Sequence, residues 1–65
     1  MKTEIIKQQK VANEIIVFLI QNTIGVENNY TVKTFSLKFK IELSNDIFDN
    51  LKKAENKFNK EVFKK

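Results

Sequence analysis

From Phe35 to Leu43 the chain alternates without a break, with Phe35, Leu37, Phe39, Ile41 and Leu43 apolar and Ser36, Lys38, Lys40 and Glu42 polar. A period of two places one apolar and one basic face on a β-strand. The segments on either side carry a different period. Lys7, Lys10, Glu14 and Gln21 fall on one narrow stripe of a helical wheel, while Ile5, Val11, Ala12, Ile15, Ile16, Phe18, Leu19 and Ile20 cover most of the rest. That pattern predicts a first helix over residues 3–24, apolar enough to need cover on more than one side. Gly25 then stands where a left-handed helix cap belongs, with Val26 behind it. The competing reading makes residues 13–20 (NEIIVFLI) a strand, since four of them are β-branched.

Residues 26–29 read as a connector. Apolar parity switches between Val32 and Phe35, which predicts a bulge at Lys33–Thr34 or a strand beginning there. A hairpin turning at Asn28–Asn29, pairing 24–26 with 30–32, is the alternative. Ser44 has the chemistry of an N-cap, with Asp46 and Asp49 in the first turn and Leu43 and Phe48 placed as a hydrophobic staple. The second helix then carries a stripe of Ile47, Phe48, Leu51, Ala54, Phe58 and Val62, with lysines crowding its end through Lys64 and Lys65.

The expected architecture is therefore a small α+β domain over residues 1–65, ordered α-β-α. A lone strand must find hydrogen-bonding neighbours, so an antiparallel strand pair between two copies completes the fold as a homodimer. An α-β-β-α monomer is the alternative. Phe35, Leu37, Phe39, Ile41 and Phe63 are the candidate dimer or partner contacts.

Length sharpens the need for a second copy. Sixty-five residues bury little enough surface to be marginal without a staple, and the chain has no cysteine for a disulfide and no histidine for a transition metal. Oligomerisation or good helix packing is left. The longest apolar run, Ile15–Ile20, is too short for a signal core or a membrane span. Absence of cysteine fits a reducing compartment, and a cytoplasmic location is expected.

Candidate chemistry is sparse. Without histidine or cysteine there is no ready base, soft ligand or thiol nucleophile, and a single glycine excludes a glycine-rich phosphate loop. Asp46 and Asp49 are placed to complement a helix dipole rather than to form a catalytic pair. No enzyme activity, cofactor, metal or small-molecule substrate is expected.

The charged residues are twelve lysines against eight acids, net +4, with no arginine. A strand pair near the middle of residues 35–43 gathers lysines on one face of a ribbon, and such ribbons can enter the major groove of DNA. Lys33, Lys38 and Lys40 are thus candidate nucleic-acid contacts. Lysine lacks the planar fork that reads guanine or grips phosphate, and lysines on an outer strand face also serve solubility. The C-terminal basic amphipathic helix fits a lipid interface in principle, but a domain this small needs that apolar stripe for its core. The expected function is a small non-catalytic regulatory or inhibitory protein acting through protein contacts. The alternative is a small basic nucleic-acid-binding regulator using a lysine-lined β-ribbon.

Overall fold

In the computed structural model, which describes residues 1–63, four strands precede one helix: β1 (Lys2–Ala12), β2 (Ile15–Ile24), β3 (Glu27–Ser36), β4 (Ile41–Phe48) and α1 (Leu51–Val62). The strands form one antiparallel sheet in the order β1-β2-β3-β4, so each pairs with its neighbour in sequence. This is a meander closed by short turns, with α1 laid across one face.

The α-β-α expectation is overturned, and with it the homodimer built on an intermolecular strand pair. Residues 35–43 do not form one strand. Phe35 and Ser36 end β3, Leu37–Lys40 turn, and Ile41–Leu43 begin β4. The Ser36 hydroxyl accepts from the Phe39 N–H at 3.2 Å, and Lys40 adopts a left-handed φ of 56°. Two strands inside the chain thus satisfy each other, and no second copy is needed for the ladder. The α-β-β-α alternative also falls, because no helix precedes the sheet.

The segment expected as the first helix is the β1–β2 hairpin, and the physical reason for the misreading is visible in its register. Ile5 faces Ile20 and Lys7 faces Leu19, so Ile6 is an extra residue; Lys10 faces Ile16 and Ala12 faces Ile15, so Val11 is another. Each bulge flips the phase of the strand and erases the alternation that identifies one. In β2 the opposite problem arises: Ile15–Ile20 is apolar at both parities, as in a strand covered on both faces.

Gly25 is a turn residue, not a helix cap. Ile24 pairs with Glu27, leaving Gly25–Val26 as a two-residue connection with Gly25 at φ 62°. Glycine first in the loop is the type II′ arrangement, whose twist suits a hairpin. The hairpin therefore turns here rather than at Asn28–Asn29. The irregularity expected at Lys33–Thr34 belongs to the neighbouring strand: Thr34 faces Ser44 and Phe35 faces Glu42, so the additional residue is Leu43.

The helix begins later than Ser44 suggested. Ser44–Phe48 pair with β3, and Asn50 caps α1 in an extended conformation (φ −133°). Its Oδ1 accepts from the N–H groups of Lys52 at 2.8 Å and Lys53 at 3.3 Å. The Leu43–Phe48 staple accordingly does not form. The later part of the expected stripe does face the core: Ala54 and Phe58 are buried against Val17, Leu19 and Val32, with Val11, Tyr30, Phe48 and Val62 packed around them. Ile47 instead lies on the far side of the sheet. Lys64 and Lys65, part of the expected lysine-rich end, lie outside the described residues.

Candidate protein-interaction face

A single helix covers only one face of the sheet, and strand alternation dictates what the other face carries. Val17 and Leu19 point to α1, so Ile16, Phe18 and Ile20 point away. Reading the register across the sheet gives the rows of the open face. Lys10, Ile16, Phe35 and Glu42 form one row; Gln8, Phe18, Lys33 and Asn45 form the next; Ile5, Ile20, Thr31 and Ile47 form the third. Thr3, Asn22 and Asn29 close the face as a polar end.

This face is apolar at its centre and polar at its margin except in the third row, whose ends are Ile5 and Ile47. Ile16, Phe18, Ile20 and Phe35 are half-buried by one another, whereas Ile5 and Ile47, at opposite edges, are 52% and 69% exposed. The polar end is internally satisfied. Asn22 Nδ2 donates to Asn29 Oδ1 at 3.0 Å and to Thr31 Oγ1 at 2.9 Å, and Thr3 Oγ1 donates to Asn22 Oδ1 at 3.4 Å. An apolar centre with a hydrogen-bonded rim is the anatomy of a protein interface. Isolated exposed apolar residues mean little, but a contiguous patch does.

Of the sequence-derived candidates, Phe35 and Lys33 lie on this face. Lys33 Nζ stands 3.6 Å from Glu42 Oε1 on the adjacent strand, so its charge is matched locally. Lys38 and Lys40 lie in the β3–β4 turn with Leu37 and the 67% exposed Phe39, and Ile41 opens β4 beside them. The Lys38 ammonium sits 5.5 Å from the centre of the Phe39 ring, within cation–π range. Lys38 and Lys40 make no ion pair among the described residues. The structure thus separates the three lysines into one on the sheet face and two in a turn. Phe63 lies just past the end of α1, 77% exposed.

Sequence reasoning missed Ile5, Ile16, Phe18, Ile20 and Ile47 as members of a surface. Two signals pointed to them: the two-sided apolar run in β2, and the parity switch in β3. The switch is not a break in the strand. Tyr30 and Val32 face the helix, and Phe35 faces out. Among the described residues, no group of acidic or other ligating side chains is arranged to hold a metal ion, and no helix is long and apolar enough to cross a membrane.

No family model matches the chain, and neither the curated proteins nor the solved structures contain a match.

Proposed function

We propose that the chain is a small non-catalytic protein, regulatory or inhibitory in role, that acts through protein–protein contacts made by the open face of its sheet. The observation that carries this reading is the cluster of Ile16, Phe18, Ile20 and Phe35 on the uncovered side, flanked by Ile5 and Ile47. Burying such side chains contributes about 25 cal/mol for each Å² removed from water. The residue inventory supports the non-catalytic part: the sequence holds no histidine or cysteine. The same lack of cysteine supports a reducing, cytoplasmic setting.

The test is amine cross-linking of the tagged protein in a nuclease-treated extract. Lys10 and Lys33 lie on the face, so peptides containing them should carry links to protein. Links confined to Lys38, Lys40 and the helix lysines would overturn the assignment. Partners that vanish on nuclease treatment would favour nucleic acid held by Lys33, Lys38 and Lys40, with an affinity that falls steeply as salt rises.

A further inference from the structure

The molecule has a sheet that is buried on one side only, yet its second strand is built for burial on both. Val17 and Leu19 fill the core, and Ile16, Phe18 and Ile20 between and beside them are only half-buried, with no element of the chain packed over them. Among the described residues, the core between sheet and helix holds only five buried apolar side chains. Domains of this size commonly rely on oligomerisation when they lack disulfides and metals. We infer that the open face is covered by a second copy of this chain, sheet against sheet, in a two-fold dimer layered helix, sheet, sheet, helix. This rests on the reading above that the face is a protein interface, and it names the partner.

Three observations select a second copy. The first is area. The chain exposes 4906 Å², whereas a compact monomer of 7.7 kDa exposes about 4300 Å². The difference of about 600 Å² approaches the roughly 800 Å² that each partner of a standard interface buries. The second is charge. Lys10 and Lys33 share this side of the sheet with Glu42 and with Glu27, which lies opposite Ile24 beyond the polar end, so the side carries no net charge, in a chain of net charge +4. Outside the face the described residues hold eight lysines against six acids. Two copies meet here without adding like charge to like, and the neutral face calls for no acidic or basic partner.

The third is the state of the sheet edges. β1 carries bulges at Ile6 and Val11, and β4 one at Leu43. Bulged edges resist pairing with another strand, so edge-to-edge assembly is discouraged and the face remains. Face-to-face sheets pack about 10 Å apart with their strands within about 30° of parallel. A two-fold contact is self-complementary, so one patch serves both partners. Phe18 and Phe35, on adjacent central strands, would stand at its centre. Lys33 would lay its aliphatic stem over the patch and keep its ammonium on Glu42 toward the β4 edge.

The experiment is sedimentation equilibrium of the full chain across the micromolar range, with the Ile5→Lys/Ile47→Lys variant beside it. Both side chains are exposed in the single chain, so their replacement leaves its core intact. The expected result is a mass twice 7.7 kDa for the natural chain and at least a tenfold weaker dimer for the variant. Phe63→Ser, beyond the end of α1, should leave the mass unchanged. Cross-linking an equimolar mixture of 15N-labelled and unlabelled protein should yield mixed-label pairs involving Lys10 and Lys33. A folded monomer at about 0.2 mM, which means a binding free energy weaker than about −5 kcal/mol, overturns the inference, as does a dimer indifferent to the lysine pair. Binding of an apolar dye then separates the two readings. A monomer whose dye binding is lost in the variant keeps the interface and rejects the second copy; a monomer that binds no dye rejects both.

Discussion

The Leu37 N–H donates to the Glu14 carbonyl at 2.6 Å, tying the β3–β4 turn to the β1–β2 turn at one end of the sheet. Glu14 holds that position in a left-handed conformation, at φ 71°. A non-glycine residue there carries a conformational penalty of about 1–2 kcal/mol. Glu14→Gly keeps the carbonyl and removes that penalty, against a loss of about 0.5–1 kcal/mol in chain entropy. The expected outcome is a small gain in stability, up to about 1 kcal/mol, seen as a higher urea midpoint. Glu14→Val should lower the midpoint, since a β-branched residue tolerates this conformation poorly.

Leu19 is 0% exposed at the centre of the core, between Val17 and Val32 and beneath α1. Leu19→Ala is expected to cost about 2–5 kcal/mol. That is comparable with the whole stability of a domain this small. Circular dichroism at 25 °C should therefore show much of the ordered signal gone. A loss below about 1 kcal/mol would place the core elsewhere.

Thr34 and Ser44 face each other across β3 and β4, and the hydroxyl oxygens of both are buried with no hydrogen-bond partner among the described residues. A buried hydroxyl left unpaired costs about 1–3 kcal/mol, and valine matches threonine in shape. Thr34→Val should raise the urea midpoint, and Ser44→Ala added to it should not lower it. A clear destabilisation by Thr34→Val would mean that the hydroxyl has a partner in solution.

Asn50 accepts from two backbone N–H groups at the start of α1, and the first turn contains no acidic residue. Asn50→Ala should cost about 1 kcal/mol. Asn50→Asp keeps the acceptor and adds a negative charge at the positive end of the helix, a gain of about 0.3–1 kcal/mol at low salt. Its advantage should shrink as salt rises, measured as the difference in midpoint between the two variants.

The exposed ion pairs Lys7–Glu55 (3.3 Å) and Lys57–Asp46 (3.8 Å) link α1 to the flanking strands. Pairs of this kind contribute about 0–1 kcal/mol each. Lys7→Gln and Lys57→Gln should each shift the midpoint little. A large loss from either would show that the helix is held by charge rather than by Ala54 and Phe58.

Some of this molecule was legible before its fold was known. The stripe of Ala54, Phe58 and Val62 follows helical spacing, and the helix that carries it is local, with backbone bonds four residues apart. Phe35 was legible as a strand residue because its neighbours are polar, but its strand ends at Ser36 rather than running on to Leu43. The long alternating stretch misled for a definite reason. Period two fixes which side chains share a face only while the backbone stays extended, and the turn at Leu37–Lys40 interrupts it without a glycine or proline to mark the place. Likewise the bulges at Ile6 and Val11 hid β1 by shifting its phase.

The sequence by itself determined what the chain has to work with: no cysteine, no histidine, a single glycine, a positive charge of lysines and an excess of β-branched apolar residues around Ile15–Ile20. Those follow from composition and local order alone. Only the tertiary structure decided that Ile15–Ile24 is a strand, because a strand is stabilised by partners distant in sequence, here β1 on one side and β3 on the other. The same pairing decided that Ile16, Phe18 and Ile20 share a surface with Phe35 and Ile47. That surface belongs to the register of four strands and to no segment taken alone.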